Sequence, residues 1–242
     1  MANPTAAMLV IGDEILSGRT RDANMYHLAG ELTAAGIDLQ EVRVVSDAQD
    51  AIVAAVRALA EAHDNVFTSG GIGPTHDDIT ADCIAAAFGV SIGVREDARA
   101  LLEAHYARTG LELNEARLRM ARIPEGATLI DNPVSTAPGF TIGNVHVMAG
   151  VPAVFEAMVA SVLPTLTGGA PLISESVRVD RGEGDIAAAL GDLARLYDDL
   201  SIGCYPFQVN GRYGANVVLR GADAARVSAA VRDLETAVAA LP

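Results

Sequence analysis

Hydrophobic positions in the first two-thirds of the chain switch repeatedly between two spacings. Ala6 to Ile11 is a short apolar run closed by Gly12-Asp13-Glu14, and it predicts a strand. Asp22 to Ala35 carries Met25, Leu28, Ala29 and Leu32 at helical spacing, with Gly36 placed to stop the helix. Asp38 to Ser46, with Leu39, Val42, Val44 and Val45, predicts a second strand. Asp50 to His63, with Ile52, Val53, Val56, Leu59 and Ala60, predicts a second helix. Asn65 to Ser69 is a third strand broken by glycines, and Asp77 to Phe88 a helix stopped at Gly89. Strands spaced by helices of this length imply βαβ units with right-handed crossovers, so the fold class is α/β with a mostly parallel sheet.

The stretch from Arg95 to Arg122 is helical and charged, an excursion from the sheet or a cover over its edge. Strands follow near Ala127 to Ile130 and Val145 to Met148. Between them, two prolines, an Asn and a Gly make residues 131–140 irregular. A helix from Ala153 to Leu163 closes the unit. Residues 164–171 have linker chemistry, and the rhythm then changes. Leu172 to Asp180 alternates as a strand and Gly184 to Leu196 reads as a helix. Ser201 to Gln208 and Arg212 to Arg220 form a hairpin around Asn210-Gly211, and Ala222 to Leu241 is a final helix. The expected organisation is an α/β domain over residues 1–168 and a small β-α-β-β-α domain over 172–242.

Composition narrows the function. Half of the 242 residues are hydrophobic and aromatics are scarce, so a large core must be built from Ala, Val, Ile and Leu. The net charge is -14, with 17 basic residues against 31 acidic ones, which disfavours a nucleic-acid partner. An anionic small molecule is not excluded, because a pocket of backbone amides can outweigh the global field. The acidic balance also suits recruitment of a divalent cation, Mg²⁺, Mn²⁺ or Co²⁺. Cys83 and Cys204 are far apart and outside any C-x-x-C pair, so a reducing, cytoplasmic compartment is expected. The chain begins without a basic leader, and no stretch approaches the roughly 20 apolar residues of a membrane span.

The segment Gly70-Gly71-Ile72-Gly73-Pro74-Thr75 follows a strand and precedes a helix. Glycines there let backbone approach a phosphate, and the helix N-terminus adds N–H groups, which suits a phosphorylated nucleotide- or pterin-like ligand. It is neither a Walker loop nor the dinucleotide fingerprint, and a ligand-free tight turn is the competing reading. His76, Asp77, Asp78 and Asp82 come next. Asp78 and Asp82 are four apart, on one face of the expected helix, where they hold a cation or merely complement the helix dipole. In a parallel sheet the strand ends Asp13-Glu14 and Ser46-Asp47 share an edge with the glycine turn. This gathers Asp13, Asp47, Asp77 and Asp78, although Asp47 is also placed to cap the helix that follows it. Arg19 and Arg21 pair with a phosphate or stay solvated. The 132–139 loop offers Ser135, Thr136 and backbone amides up to Gly139, and Gly150-Val151-Pro152 a second amide cradle. No nucleophile elbow or zinc spacing is present.

Five stretches, IGDEILSGRTRDAN, VVSD, TSGGIGPTHDDIT, NPVSTAPGF and GVPAVFEAM, fall in order between residues 8 and 158. Together they resemble the molybdopterin-binding domain family, in particular its CinA-like, competence/damage-inducible branch. The resemblance implies a three-layer αβα sandwich that assembles into homo-oligomers, dimers or trimers, around a pocket for molybdopterin. It implies a catalytic role at Asp78, with Asp77 or Asp47 as a second acidic position, and a metal held by Asp78 and Asp47. Gly70, Gly71, Gly73, Thr75, Asp13, Ser135, Thr136, Gly139 and Gly150 would contact the ligand. In the CinA-like branch the pocket is associated with metal-dependent cleavage of pyrophosphates such as ADP-ribose, and a related domain is fused to FAD synthases. Ser135 stands where the family commonly has Gly, which bears on the geometry of that loop. The chain stops before the amidohydrolase domain of longer relatives, so nicotinamide-nucleotide deamidation is not implied. The signature of molybdenum-insertion enzymes is also absent. Non-hydrolytic pterin binding, and nucleotide sensing relayed through residues 172–242, are the rival readings.

Overall fold

The structure is a computed structural model and describes residues 3–241. The chain divides into two compact units, one ending at Gly169 and one starting at Ala170. In the first, β1 (Thr5–Ile11), α1 (Asp13–Leu16), α2 (Asn24–Ala34), β2 (Asp38–Val45), α3 (Gln49–Ala62) and β3 (Asn65–Ser69) build the parallel half. Then come α4 (Thr80–Phe88), β4 (Ile92–Val94), α5 (Glu96–Thr109), α6 (Glu115–Leu118) and β5 (Arg122–Pro124). The unit finishes with β6 (Thr128–Ile130), β7 (Gly139–Ile142), β8 (Val145–Met148) and α7 (Pro152–Val162). The sheet runs β2-β1-β3-β8-β7-β6. β2, β1, β3 and β8 are parallel, and β7 is antiparallel to both its neighbours.

Alternation along the strands assigns the two helical layers. Ala7, Leu9, Ile11, Val66, Val145 and Val147 point to one face, where Ile52, Val56 and Leu59 of α3, Ile84 of α4 and Leu102 of α5 cover them. Ala6, Met8, Val10, Phe67 and Met148 point to the other, under Leu28 and Leu32 of α2 and Phe155, Met158 and Val159 of α7. β1 is buried on both sides, which is why it reads as a continuous apolar run instead of an alternating one. The result is a three-layer α/β unit.

One expectation is corrected here. Residues 139–142 form β7, although Gly139 and the preceding prolines read as irregular; the glycine is required because a Cβ there would collide with the Val147 carbonyl of the neighbouring strand. The antiparallel pair β4–β5 brackets the stretch between Arg95 and Arg122, which is helical as expected, with α5 and α6 inside it.

In the second unit, β9 (Ile173–Val179), α8 (Glu183–Leu196), β10 (Ser201–Val209), β11 (Arg212–Gly221) and α9 (Ala224–Ala239) form an antiparallel sheet of order β10-β11-β9. Asn210 (φ 52°) and Gly211 (φ 77°) make the two-residue, left-handed turn that the hairpin twist needs. Ala215, Val217 and Leu219 pack under Ile186, Leu193, Val227 and Leu234, a core of its own.

Candidate functional site

β1 lies between β2 and β3, so the chain leaves β1 outward to one side and returns past it to the other. Such a switch point leaves a crevice beyond the carboxyl ends of the strands. Ile11 is level with Val45, Val10 with Ser69, and Ser69 with Met148, so the loops that leave these strands meet there. Gly70 is buried with φ 109°. A side chain would strike the Ile11 carbonyl, and its N–H donates to the Met148 carbonyl at 3.2 Å. Gly150 comes so near that a Cβ on it would stand 3.3 Å from the Gly70 Cα. Glycine at 70 is thus what lets the ends of β1, β3 and β8 crowd together.

Beyond it the chain folds back on itself. Thr80 N–H donates to the Gly71 carbonyl at 2.9 Å, and the Asp78 carboxylate closes the loop by accepting from Thr75 N–H (2.8 Å) and Thr75 Oγ1 (2.5 Å). Asp78 therefore precedes α4, which starts at Thr80 and not at Asp77 as expected. The anticipated Asp78–Asp82 pair on one helix face does not exist: Asp82 forms a bidentate ion pair with Arg122, the shorter contact 2.6 Å. Asp77 accepts from Thr75 Oγ1 at 2.6 Å, and that hydrogen bond holds its carboxyl below the usual range.

These loops enclose a cavity of about 720 Å³. Gly70, Gly71, Gly73, Asp47, Asp77, Asp78, Ser135 and Gly150 line it. Four other expected residues do not. Thr75 has its amide committed to Asp78, and Thr136, at φ 68°, has its hydroxyl in a 2.9 Å hydrogen bond with His105 Nδ1. Gly139 is packed inside the sheet, and Asp13 begins α1 on the exposed side. The amides of Gly71 and Gly73 meet no protein acceptor among the described residues.

Asp47 is not the cap of α3; its Oδ2 accepts from Asp13 N–H at 2.9 Å and so caps the short α1. Partial burial pushes its carboxyl up, and the negative charges of Asp13, Glu14 and Asp77 add to this against the stabilising Asp13 amide. Glu14, Thr20 and Asn132 also line the cavity and were not singled out from the sequence. Asn132 was recognisable as the Asn of an Asn-Pro turn. It is buried, accepts from the amides of Val134 and Ser135 (both 3.1 Å), and donates to Ser135 Oγ (2.6 Å) and the Ala137 carbonyl (2.8 Å). This organises the loop without a glycine at Ser135, because the left-handed residue is Thr136. No basic side chain lines the cavity; Arg19 and Arg21 are exposed outside it. Among the described residues, no three His, Cys, Asp or Glu converge closely enough to cage a metal by themselves.

Fold and crevice together define an α/β protein with a cavity at the sheet's switch point. The chain belongs to the family described as probable molybdopterin binding domain, whose model matches residues 7–168. Residues 171–241 match the middle domain of FAD synthase. The chain is 36% identical over 197 residues to a protein of Caldivirga maquilingensis, covering 79% of this chain and 77% of that one. It is 40% identical over 167 residues to a CinA-like protein of Citrifermentans bemidjiense, covering 67% of this chain and 40% of the relative. The crystal structure of the protein CinA, of unknown function, from Thermoplasma acidophilum superposes with a TM-score of 0.62 at 35% identity, covering 68% of this chain and 99% of that one. Among the described residues no helix is long and apolar enough to cross a membrane.

Proposed function

We propose that the cavity binds a nucleotide pyrophosphate of the ADP-ribose or FAD type and hydrolyses it in a divalent-metal-dependent reaction. The observation that carries this is the cavity's charge. Glu14, Asp47, Asp77 and Asp78 line it, no cation does, and two unpaired glycine amides lie on its wall. A phosphorylated ligand enters such a site only with a counter-charge. The residues fit a hard cation: Asp47 and Asp78 each spend only Oδ2 on the protein, which leaves one carboxylate oxygen apiece. Two carboxylates completed by substrate phosphate oxygens and water is the usual way of holding Mg²⁺, and it needs no three-residue cage.

When bound, the cation supplies charge neutralisation and a lowered pKa for coordinated water. The protein's own part is positional. The Gly71 and Gly73 amides take phosphate oxygens and stabilise charge that develops on them. Thr75 fixes Asp78 and Asp77 on their loop, and the Asp13 amide fixes Asp47. The loop ordered by Asn132 brings Ser135 to the cavity wall.

The test is phosphate-linked turnover of ADP-ribose, FAD and NAD by the whole chain with Mg²⁺, Mn²⁺ or Co²⁺. Activity should vanish with chelator and fall on the order of 100-fold in Asp78→Asn. Full activity in that variant sinks the assignment. The second reading, a molybdopterin-binding protein without hydrolysis, draws on the family match. A pterin that binds tightly, with no pyrophosphate cleaved under any metal, would establish it instead.

A further inference from the structure

Asp78 stands on a loop that is tied almost wholly to itself. Within residues 75–78, Thr75 N–H and Oγ1 donate to the Asp78 carboxylate, Thr75 Oγ1 also to Asp77, and Asp78 N–H donates to the Thr75 carbonyl at 3.3 Å. Among the described residues one hydrogen bond reaches these four from outside. Arg119 Nη2 donates to the Asp78 carbonyl at 3.3 Å, from 41 residues along the chain.

Arg119 opens a single 3₁₀ turn, Arg119–Ala121, between α6 and β5. That turn is well anchored. Asn114 Oδ1 caps α6 by accepting from Arg117 N–H at 3.0 Å, and the buried Ala121 offers its carbonyl to Arg95 N–H at 2.9 Å. The bidentate pair of Arg122 with Asp82 ties the same segment to the first turn of α4. The Arg119 guanidinium makes no ion pair and no second hydrogen bond among the described residues, and its Nε is buried without a partner. A buried, unpaired donor is unfavourable, so the packing of the segment keeps the side chain in place, with the Asp78 carbonyl as its one polar contact.

We infer that Arg119 is a positioning residue for Asp78: it pins the Asp78 peptide so that the carboxylate oxygen not used by Thr75 is held for a cation in the cavity. The inference rests on Asp78 being a metal ligand, as proposed above. Arg119 does not line the main cavity, so it acts through Asp78 and not by contact with the ligand. Its charge and its hydrogen bond work in opposite directions. A nearby guanidinium repels a divalent cation, so losing the charge alone tightens metal binding. Losing the pin loosens the Asp78 loop and weakens metal binding. The sign of the change separates the two roles.

The experiment is titration of the whole chain with Mn²⁺, followed by electron paramagnetic resonance, for wild type, Arg119→Met, Asp78→Asn and the double variant. Arg119→Met should bind Mn²⁺ about tenfold more weakly despite its lost positive charge. Asp78→Asn should weaken binding at least as much, and adding Arg119→Met to it should change little further, because the pinned carboxylate is already gone. Arg119→Lys, which keeps the charge and a donor, should recover part of the affinity. The paired change Asp82→Asn with Arg122→Gln cuts the neighbouring tether at constant net charge and should leave Mn²⁺ affinity as in wild type. Arg119→Gln, whose amide falls short of the Asp78 carbonyl, decides the matter should Arg119→Met fail to fold. Unchanged or tighter Mn²⁺ binding in a folded Arg119 variant, additive losses in the double variant, or an equal loss from cutting the Asp82–Arg122 tether overturns the positioning role and leaves Asp78 as a ligand. No Mn²⁺ binding by wild type, or full binding by Asp78→Asn, overturns the metal reading together with it.

Discussion

At the scale of single residues, the site is built by glycines and by carboxylates that work against stability. Gly70→Ala places a methyl group into the Ile11 carbonyl at a φ of 109°, so it should cost at least about 2 kcal/mol. Urea unfolding of the purified variant measures this, and an unchanged midpoint would show that the strand ends can part to accept it. Asp47 has the opposite sign. Its raised carboxyl means the ionised form is less comfortable folded than unfolded, so its charge destabilises the fold above its titration range. Asp47→Asn keeps an oxygen for the Asp13 amide and removes that charge. It should gain a few tenths to about 1 kcal/mol at pH 7 while losing pyrophosphatase activity. Thermal melting and turnover measured on the same preparation separate the two effects; loss of both would make Asp47 simply structural. The glycine turn and the aspartates were legible as residue types in sequence. Which amides stay unpaired was not, because Gly70 and Thr75 are consumed by partners in distant strands or across a turn.

At the scale of elements, hydrophobic spacing located the helices and long strands well, since each buries a face with a regular period. It failed where a single interaction outweighs periodicity. The Asp78 carboxylate holds Thr75 in a turn and delays α4 to Thr80, so two acidic residues expected on a helix stand on a loop facing the cavity. β7 was hidden because its first residue is a glycine demanded by the neighbouring strand. β8 carries a pH-sensitive group inside the sheet. His146 sits against the Phe67 ring (4.9 Å between centroids), contacts Thr141 Oγ1 through Nδ1 at 3.0 Å, and burial pushes its pKa down to about 4 from 6.5. Between those values the unfolded chain binds the proton and the folded one does not, so stability falls as pH drops. Going from pH 7 to pH 5 should cost about 2 kcal/mol through this residue. His146→Gln should flatten that part of the profile, and equal slopes for both proteins in urea titrations would discount the histidine.

At the scale of the whole molecule, the two units carry separate cores. Residues 170–242 expressed alone should therefore give a cooperative urea transition with native-like circular dichroism; a gradual, featureless loss of signal would show that the unit does not stand by itself. Sequence alone determined the α/β class, the change of rhythm near residue 170, the hairpin at Asn210-Gly211 and the neighbourhood of the glycine turn. Each of these depends on local propensity or on a period that a single stretch of chain displays. Tertiary structure alone decided that Asp47 caps α1 instead of α3, that Asp82 belongs to Arg122, and that Asn24 reaches Gly150. Those are choices among polar partners far apart in sequence, made by the packing of elements that bring them together.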